Sequence, residues 1–174
     1  MGGRGYVAYL IAMGDPAYAA ALKVLARRDH FEAEIAKKLR RKGFEVELID
    51  SALDRCRELD LVNDQRLACR FAEVRSENNG WGPRRISAEL RRRGVDQNIA
   101  DEAARLDAKR LRVALATALR RSEIRAPEGW WRLSDRRARM VSSLIARGFE
   151  ADDAIAAVSH LAASRENNDH ATDE

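Results

Sequence analysis

Pro83-Arg-Arg-Ile-Ser-Ala-Glu-Leu-Arg-Arg-Arg-Gly-Val95 decides the fold, because altered copies of it stand on either side. The earlier copy is Glu32-Ala-Glu-Ile-Ala-Lys-Lys-Leu-Arg-Arg-Lys-Gly-Phe44, and the later one is Arg137-Ala-Arg-Met-Val-Ser-Ser-Leu-Ile-Ala-Arg-Gly-Phe149. Each sets apolar, apolar, glycine at i, i+4 and i+8: Ile35, Leu39, Gly43; Ile86, Leu90, Gly94; Met140, Leu144, Gly148. The copies recur after 51 and then 54 residues, long enough for a three-helix unit. Two apolar residues four apart make one face of a helix. A glycine four further on can take the left-handed conformation that ends it. An acid follows two residues later in every copy, Glu45, Asp96 and Glu150, placed to cap the next helix start.

Composition agrees with a helical chain. Of 174 residues, 34% are charged and only 6% aromatic, with 10 Gly and 3 Pro, too few turn residues for a strand-rich fold. The expectation is an all-α protein, an elongated array of three tandem helix-turn-helix-like repeats over residues 15–61, 62–107 and 108–162. A lead of undecided order over 1–14 precedes them, and an acidic disordered tail over 163–174 follows. The net charge of +4 hides an asymmetry: residues 150–174 carry −6, which leaves +10 on residues 1–149. A basic body favours polyanions or acidic protein surfaces, and the acidic tail is expected to fold back loosely over it. Cys56 and Cys69 lack metal-ligand spacing and read as reduced, half-buried helix residues. The apolar run Val7–Met13 is too short to cross a bilayer, so a cytoplasmic protein without a membrane partner is expected.

Local signals place the helix ends. Asp15-Pro16 opens the first helix, and Asp29-x-x-Glu32 offers a capping box to the second. Leu48, Ile49, Ala52, Leu53 and Cys56 then share a face of the third, with Leu59 and Leu61 closing the repeat. Asn63-Asp64 opens the second repeat, whose first helix carries Leu67, Phe71 and Val74 on its apolar side. In Asn78-Asn-Gly-Trp-Gly-Pro83, Gly80 and Gly82 free the backbone, with Gly82 at the N-cap and Pro83 at N1. Ser134-Asp135 caps the middle helix of the third repeat. Ile155, Val158 and Leu161 face inward on the last helix.

In their order and spacing these pieces resemble the RecX family of bacterial recombinase regulators, over about residues 18–162. The resemblance rests on Leu25-Ala-Arg-Arg-Asp-His-Phe-Glu-Ala-Glu-Ile-Ala-Lys-Lys-Leu39 with Gly43-Phe44, and on Leu61-Val-Asn-Asp-Gln-Arg-Leu-Ala68. Gly80-Trp-Gly-Pro-Arg-Arg-Ile86 with Glu89-Leu-Arg-Arg-Arg-Gly-Val95, and Leu144-Ile-Ala-Arg-Gly-Phe149 with Asp153, complete it. Phe31 departs from the family's Ser-type cap and Asn63 from the first of an acidic pair; Asp29 can replace the lost cap. The resemblance implies a non-enzymatic monomer that lies along the RecA filament on single-stranded DNA. There it inhibits ATP hydrolysis, strand exchange and co-protease activity. Contact with double-stranded DNA is left open.

From the residues themselves come cationic clusters on the middle helices: Lys37, Lys38, Arg40, Arg41 and Lys42 in one repeat, Arg84, Arg85, Arg91, Arg92 and Arg93 in the next. One cation at a helix C-terminus is explained by the dipole; three abreast in two repeats favour a binding stripe. Gly43, Asp64, Gly80, Gly82, Gly94 and Gly148 are assigned to turns and caps. Trp81 reads as core, while Trp130 and Trp131 stay open between core and base stacking. No catalytic, cofactor or metal site is expected: His30, His160 and His170 have no ligand-spaced neighbours, and no phosphate-binding glycine loop is present. Two other readings remain, a free-standing basic DNA-binding array and an adaptor that uses its repeats for protein contacts alone. The poor base-reading potential of Ala36, Ser87 and Ala88 argues against the DNA reader.

Overall fold

The computed structural model describes residues 15–172. The lead expected over residues 1–14 lies outside them, as do Asp173 and Glu174. Among the described residues the regular structure is helical throughout, without strand. In chain order the helices are α1 (Pro16–Leu25), α2 (Glu32–Arg40), α3 (Val46–Glu58), α4 (Asp64–Asn79), α5 (Pro83–Arg92) and α6 (Gln97–Ala103). They continue as α7 (Ala108–Glu123), a 3-10 turn at Trp130–Arg132, α8 (Ser134–Ala146) and α9 (Ala151–Thr172). The fold is an all-α array of helical triplets. The chain divides into two compact units, residues 15–70 with 90–100, and residues 71–89 with 101–172.

The first unit is built on α1, α2 and α3, each packed on the other two. Asp15 accepts the Tyr18 N–H at 2.8 Å and Pro16 occupies the first turn, so α1 starts where the sequence expects. Ala17, Ala19, Ala20 and Ala21 are buried small residues on α1, which seat its backbone close to its neighbours. Tyr18, Ile35, Leu39, Ile49 and Cys56 fill the core. Burial pushes the Cys56 thiol up to about 11, which keeps it protonated and inert, whereas Cys69 is exposed. Leu48, Leu59 and Leu61 are also exposed, against expectation; Val62 seals the repeat instead. On α4 the buried residues are Ala68, Ala72 and Ser76, while Val74 is exposed, because the helix presents its small side chains inward.

The second unit packs α7, α8 and α9 around Ala118, Trp130, Met140, Leu144, Phe149 and Val158. Ile155 points outward and Ala154 takes the inward place. The expected disordered tail is corrected here: α9 runs on through Thr172. Its extension is held by Arg165, whose Nε lies 2.8 Å from Glu123 Oε1, and by Asp169, 3.0 Å from the Arg132 guanidinium. Ala162 buries the turn before them. Such exposed pairs contribute about 0 to 1 kcal/mol each, enough to retain a helix already nucleated by a packed stretch.

The three repeat glycines close their helices in one way. Gly43, Gly94 and Gly148 have φ of 84°, 88° and 91°. The next residue's N–H bonds back five residues, Phe44 to Leu39, Val95 to Leu90 and Phe149 to Leu144, while each glycine N–H bonds the carbonyl three before it. This is the Schellman closure, and it explains the apolar residue after the glycine, which packs against the leucine that begins the turn. The surroundings differ. A Cβ on Gly43 would meet nothing within 4 Å, whereas one on Gly94 would overlap the Ala33 side chain. Gly43→Ala should therefore cost about 1 kcal/mol from backbone conformation alone, and Gly94→Ala about 2 kcal/mol or more because overlap is added. Urea denaturation of the two variants checks the order, which equal losses would refute.

Candidate functional site

Helix ends set the geometry of the cationic residues. In the first unit α2 starts without a side-chain cap on Phe31. Glu34 reaches back to the Phe31 N–H at 3.3 Å, and Asp64, at the start of α4, accepts the Glu32 N–H at 3.0 Å. Asp64 thus caps α2 in place of Asp29, which pairs with Arg70. Burial raises the Asp64 carboxyl above its usual range, against the opposing pull of that N–H. Of the acids after the glycines, Asp96 caps with its side chain, accepting the Asn98 N–H at 2.8 Å. Glu45 makes no such bond, and Glu150 pairs with Arg84. Ser134 lies inside α8, with Leu133 at its N-cap, and Asp135 turns to Arg136 and Arg139.

Two joints between successive repeats follow, one inside each unit. In the first, Gly94 approaches Ala33, and Arg93 places Nε and Nη2 at 2.9 and 2.8 Å from Glu34 Oε1, its guanidinium 4.6 Å from the Phe31 ring centroid. In the second, the Gly82 N–H donates to Arg147 O at 2.8 Å and the Arg84 N–H to Gly148 O at 3.1 Å. The free donors at the start of α5 thereby satisfy the free acceptors at the end of α8. Both Gly82 and Gly148 are buried there, and a Cβ on either would collide with backbone. Gly80, at φ 61°, has the same constraint, with Ala118 N 2.7 Å from where its Cβ would lie.

The expected basic stripe is thus divided by role. Lys37, Arg40, Arg41 and Lys42 are exposed on α2 and its C-terminal turn, and Arg91 and Arg92 are exposed at the end of α5. Arg93 is half-buried in the first joint, contrary to its expected place on a binding face. Arg84 pairs with Glu150, and Arg85 stacks 4.2 Å from the Trp81 ring centroid. Trp81 also meets Phe71 edge-on and the Arg75 guanidinium, so its faces are occupied by protein. Trp130 is buried, which removes it from base stacking. Glu34, Arg75 and Arg147 were missed by the sequence reading. Arg93 and Arg147 share one signal, a cation immediately before the repeat glycine.

With this geometry in place, two family domains match in order: RecX, first three-helix domain, over residues 17–56, and RecX, second three-helix domain, over residues 63–103. The chain belongs to the RecX family. The regulatory protein RecX of Pseudomonas entomophila (strain L48) is 44% identical over 85 residues, covering 49% of this chain and 54% of the relative. That of Pseudomonas putida (strain W619) aligns with the same identity and coverage. The chain spans about half the length of the curated relatives it matches. The crystal structure of RecX from Lactobacillus salivarius superposes with a TM-score of 0.71 at 22% identity, covering 83% of this chain and 94% of that one, a likeness of fold. No helix among the described residues is long and apolar enough to cross a membrane, and no cluster of metal-ligating side chains occurs among them.

Lys38 departs from the other predicted cations of the first RecX repeat. Its ammonium lies 2.7 Å from His30 Nε2, and His30 Nδ1 lies 2.8 Å from Arg28 O. Lys38 can donate only to a bare nitrogen, so His30 is neutral with its proton on Nδ1. Burial, together with the charges of Arg28 and Lys38, holds the imidazole below its ordinary value of 6.5, although the Arg28 carbonyl opposes this. A base with a depressed folded pKa binds fewer protons folded than unfolded. Its contribution is complete above the unfolded pKa and declines as pH falls from there towards the folded one. Denaturation midpoints of the parent should therefore drop between about pH 7.5 and 5.5 by more than those of His30→Gln, which has no proton to take up. Parallel midpoints for the two proteins would refute the assignment.

Proposed function

We propose that this chain is a non-enzymatic negative regulator of the RecA recombinase. It binds the RecA filament on single-stranded DNA and inhibits ATP hydrolysis, strand exchange and co-protease activity. The observation that carries the reading is the ordered pair of RecX domains bearing exposed cations at the ends of their middle helices. Relatives named as regulatory proteins support a regulatory role rather than a catalytic one. The binding residues within the expected stripe are Lys37, Arg40, Arg41, Lys42, Arg91 and Arg92. Arg84, Arg85 and Arg93 support them through the contacts described, and Lys38 through His30. Guanidinium groups recognise carboxylates and phosphates alike, so an assembly of protein and nucleic acid offers acceptors of both kinds.

The alternative, a free-standing DNA-binding protein, draws on the same cations, but the tryptophans give it little support. Trp130 is buried and Trp81 is enclosed by Phe71, Arg75 and Arg85. The test is steady-state RecA ATP hydrolysis on single-stranded DNA with Arg41→Glu combined with Arg91→Glu. Both side chains are exposed, so the helical content should be unchanged while inhibition falls about tenfold or more, as expected when two charge-assisted contacts are reversed. Full inhibition by the variant would place the filament contact elsewhere. A parent that binds single-stranded DNA and leaves hydrolysis untouched would favour the DNA-binding reading.

A further inference from the structure

Five arginines outside the expected basic stripe converge in the second unit. Arg121 and Arg125, from the end of α7 and the loop beyond it, face Arg136, Arg139 and Arg147 of α8 and its C-terminal turn across an open cleft of about 220 Å³. Ser122 and Ser143 add hydroxyls to its wall, and Trp130 and Met140 line its apolar side. The dipole at a helix C-terminus accounts for a cation or two, since α7 and α8 both end here. It does not account for five, three of them from outside the last turns of these helices.

Their partners leave the charge largely uncompensated. Arg121 donates to Asn78 O at 2.7 Å and Arg147 to Asn79 O at 3.3 Å, both neutral acceptors. Among the described residues Asp135 is the one carboxylate paired with any of the five, 3.7 Å from Arg136 and from Arg139. Burial, and after it the charges of Arg121, Arg85 and Arg125, depress the Arg147 guanidinium below its ordinary value. Like charges so placed repel, and an anion seated among them relieves that repulsion.

We propose that this cleft is a binding site for closely spaced phosphate groups, contributed either by a free polyphosphate or by a nucleic-acid strand. Guanidinium forks match phosphate oxygens in pairs, and serine hydroxyls supply further donors. In a free polyphosphate, groups linked through one bridging oxygen concentrate more negative charge in so small a volume than successive carboxylates of a peptide, whose residues lie about 3.3 to 3.6 Å apart along the chain. A nucleic-acid strand instead offers single phosphodiesters, one per nucleotide. The site is separate from the cations of α2 and does not rest on the RecA reading.

The experiment titrates the full chain with inorganic tripolyphosphate by calorimetry, beside two double variants. Arg125→Gln with Arg139→Gln removes two exposed arginines from the cleft. Arg112→Gln with Arg120→Gln removes the same charge from a part of α7 that lines a different groove. The cleft pair should weaken tripolyphosphate binding about tenfold or more, and the control pair by less than about twofold. Circular dichroism establishes that both variants keep their helices. If tripolyphosphate then displaces an oligothymidylate strand, the strand is the source of the phosphates; if it binds without displacing the strand, a free polyphosphate is. Equal weakening by the two pairs, or tighter binding of hexaglutamate than of tripolyphosphate, would overturn the proposal.

Discussion

The second unit depends on one contact of backbone with backbone: the start of α5 laid against the end of α8. Gly82 and Arg84 donate to Arg147 and Gly148 carbonyls, and Pro83, which has no N–H, stands between them. Each helix end would otherwise need side-chain caps or water, so the joint satisfies two sets of orphan groups at once and opposes the positive end of one dipole to the negative end of the other. The contact requires glycine on both sides. Once formed, it carries Arg84 to Glu150 and Arg85 over Trp81, so local charge placement follows from a turn.

The repeat glycine therefore has two functions that the sequence pattern cannot separate. Left-handed φ is common to Gly43, Gly94 and Gly148, and it accounts for the i+8 spacing in all three. Close approach belongs only to the glycines of the second and third repeats, each of which meets the start of the middle helix one repeat earlier. No described repeat precedes the first, and Gly43 is correspondingly open. The first joint is looser in backbone terms and uses side chains where the second uses carbonyls, with Glu34, Asp64 and Arg93 doing what main-chain groups do at Gly82 and Gly148.

Much of this was legible because it is local. Helix starts at Asp15-Pro16, Asn63, Gly82-Pro83 and Asp96, and the glycine stops, follow from groups within five residues of one another. What escaped was long-range. Nothing near Phe31 announces that Asp64 caps its helix, since the partner stands 32 residues away. Arg93 groups with Arg91 and Arg92 only because the three are adjacent, yet it stands seven residues after Ile86 and so shares the inward face, where a neighbouring repeat offers Glu34. The tail was misread for a similar reason. Its polarity argues for disorder only if its charges lack partners, and Glu123 and Arg132 provide them. Leu48, Leu59 and Leu61 failed from the other direction: apolar side chains on a small module exceed the core available to receive them.

Cations in this chain thus fall into kinds that composition merges. Some fasten repeats, as Arg93 and Arg84 do; one, Lys38, fixes a tautomer; others are exposed at helix ends. The kinds differ in what removal would leave behind. Loss of Arg93 takes two donors from Oε1 of the half-buried Glu34 carboxylate and leaves it the Phe31 N–H and Arg28 on Oε2, a cost borne by the fold. Loss of an exposed Arg41 or Lys42 leaves only solvated groups and is felt by a partner. The cleft arginines belong to neither kind: their mutual repulsion opposes folding, and neutral carbonyls at Asn78 and Asn79 offset it only in part. A cluster that works against the stability of its own unit is explained more economically by an anion it holds than by the structure it supports.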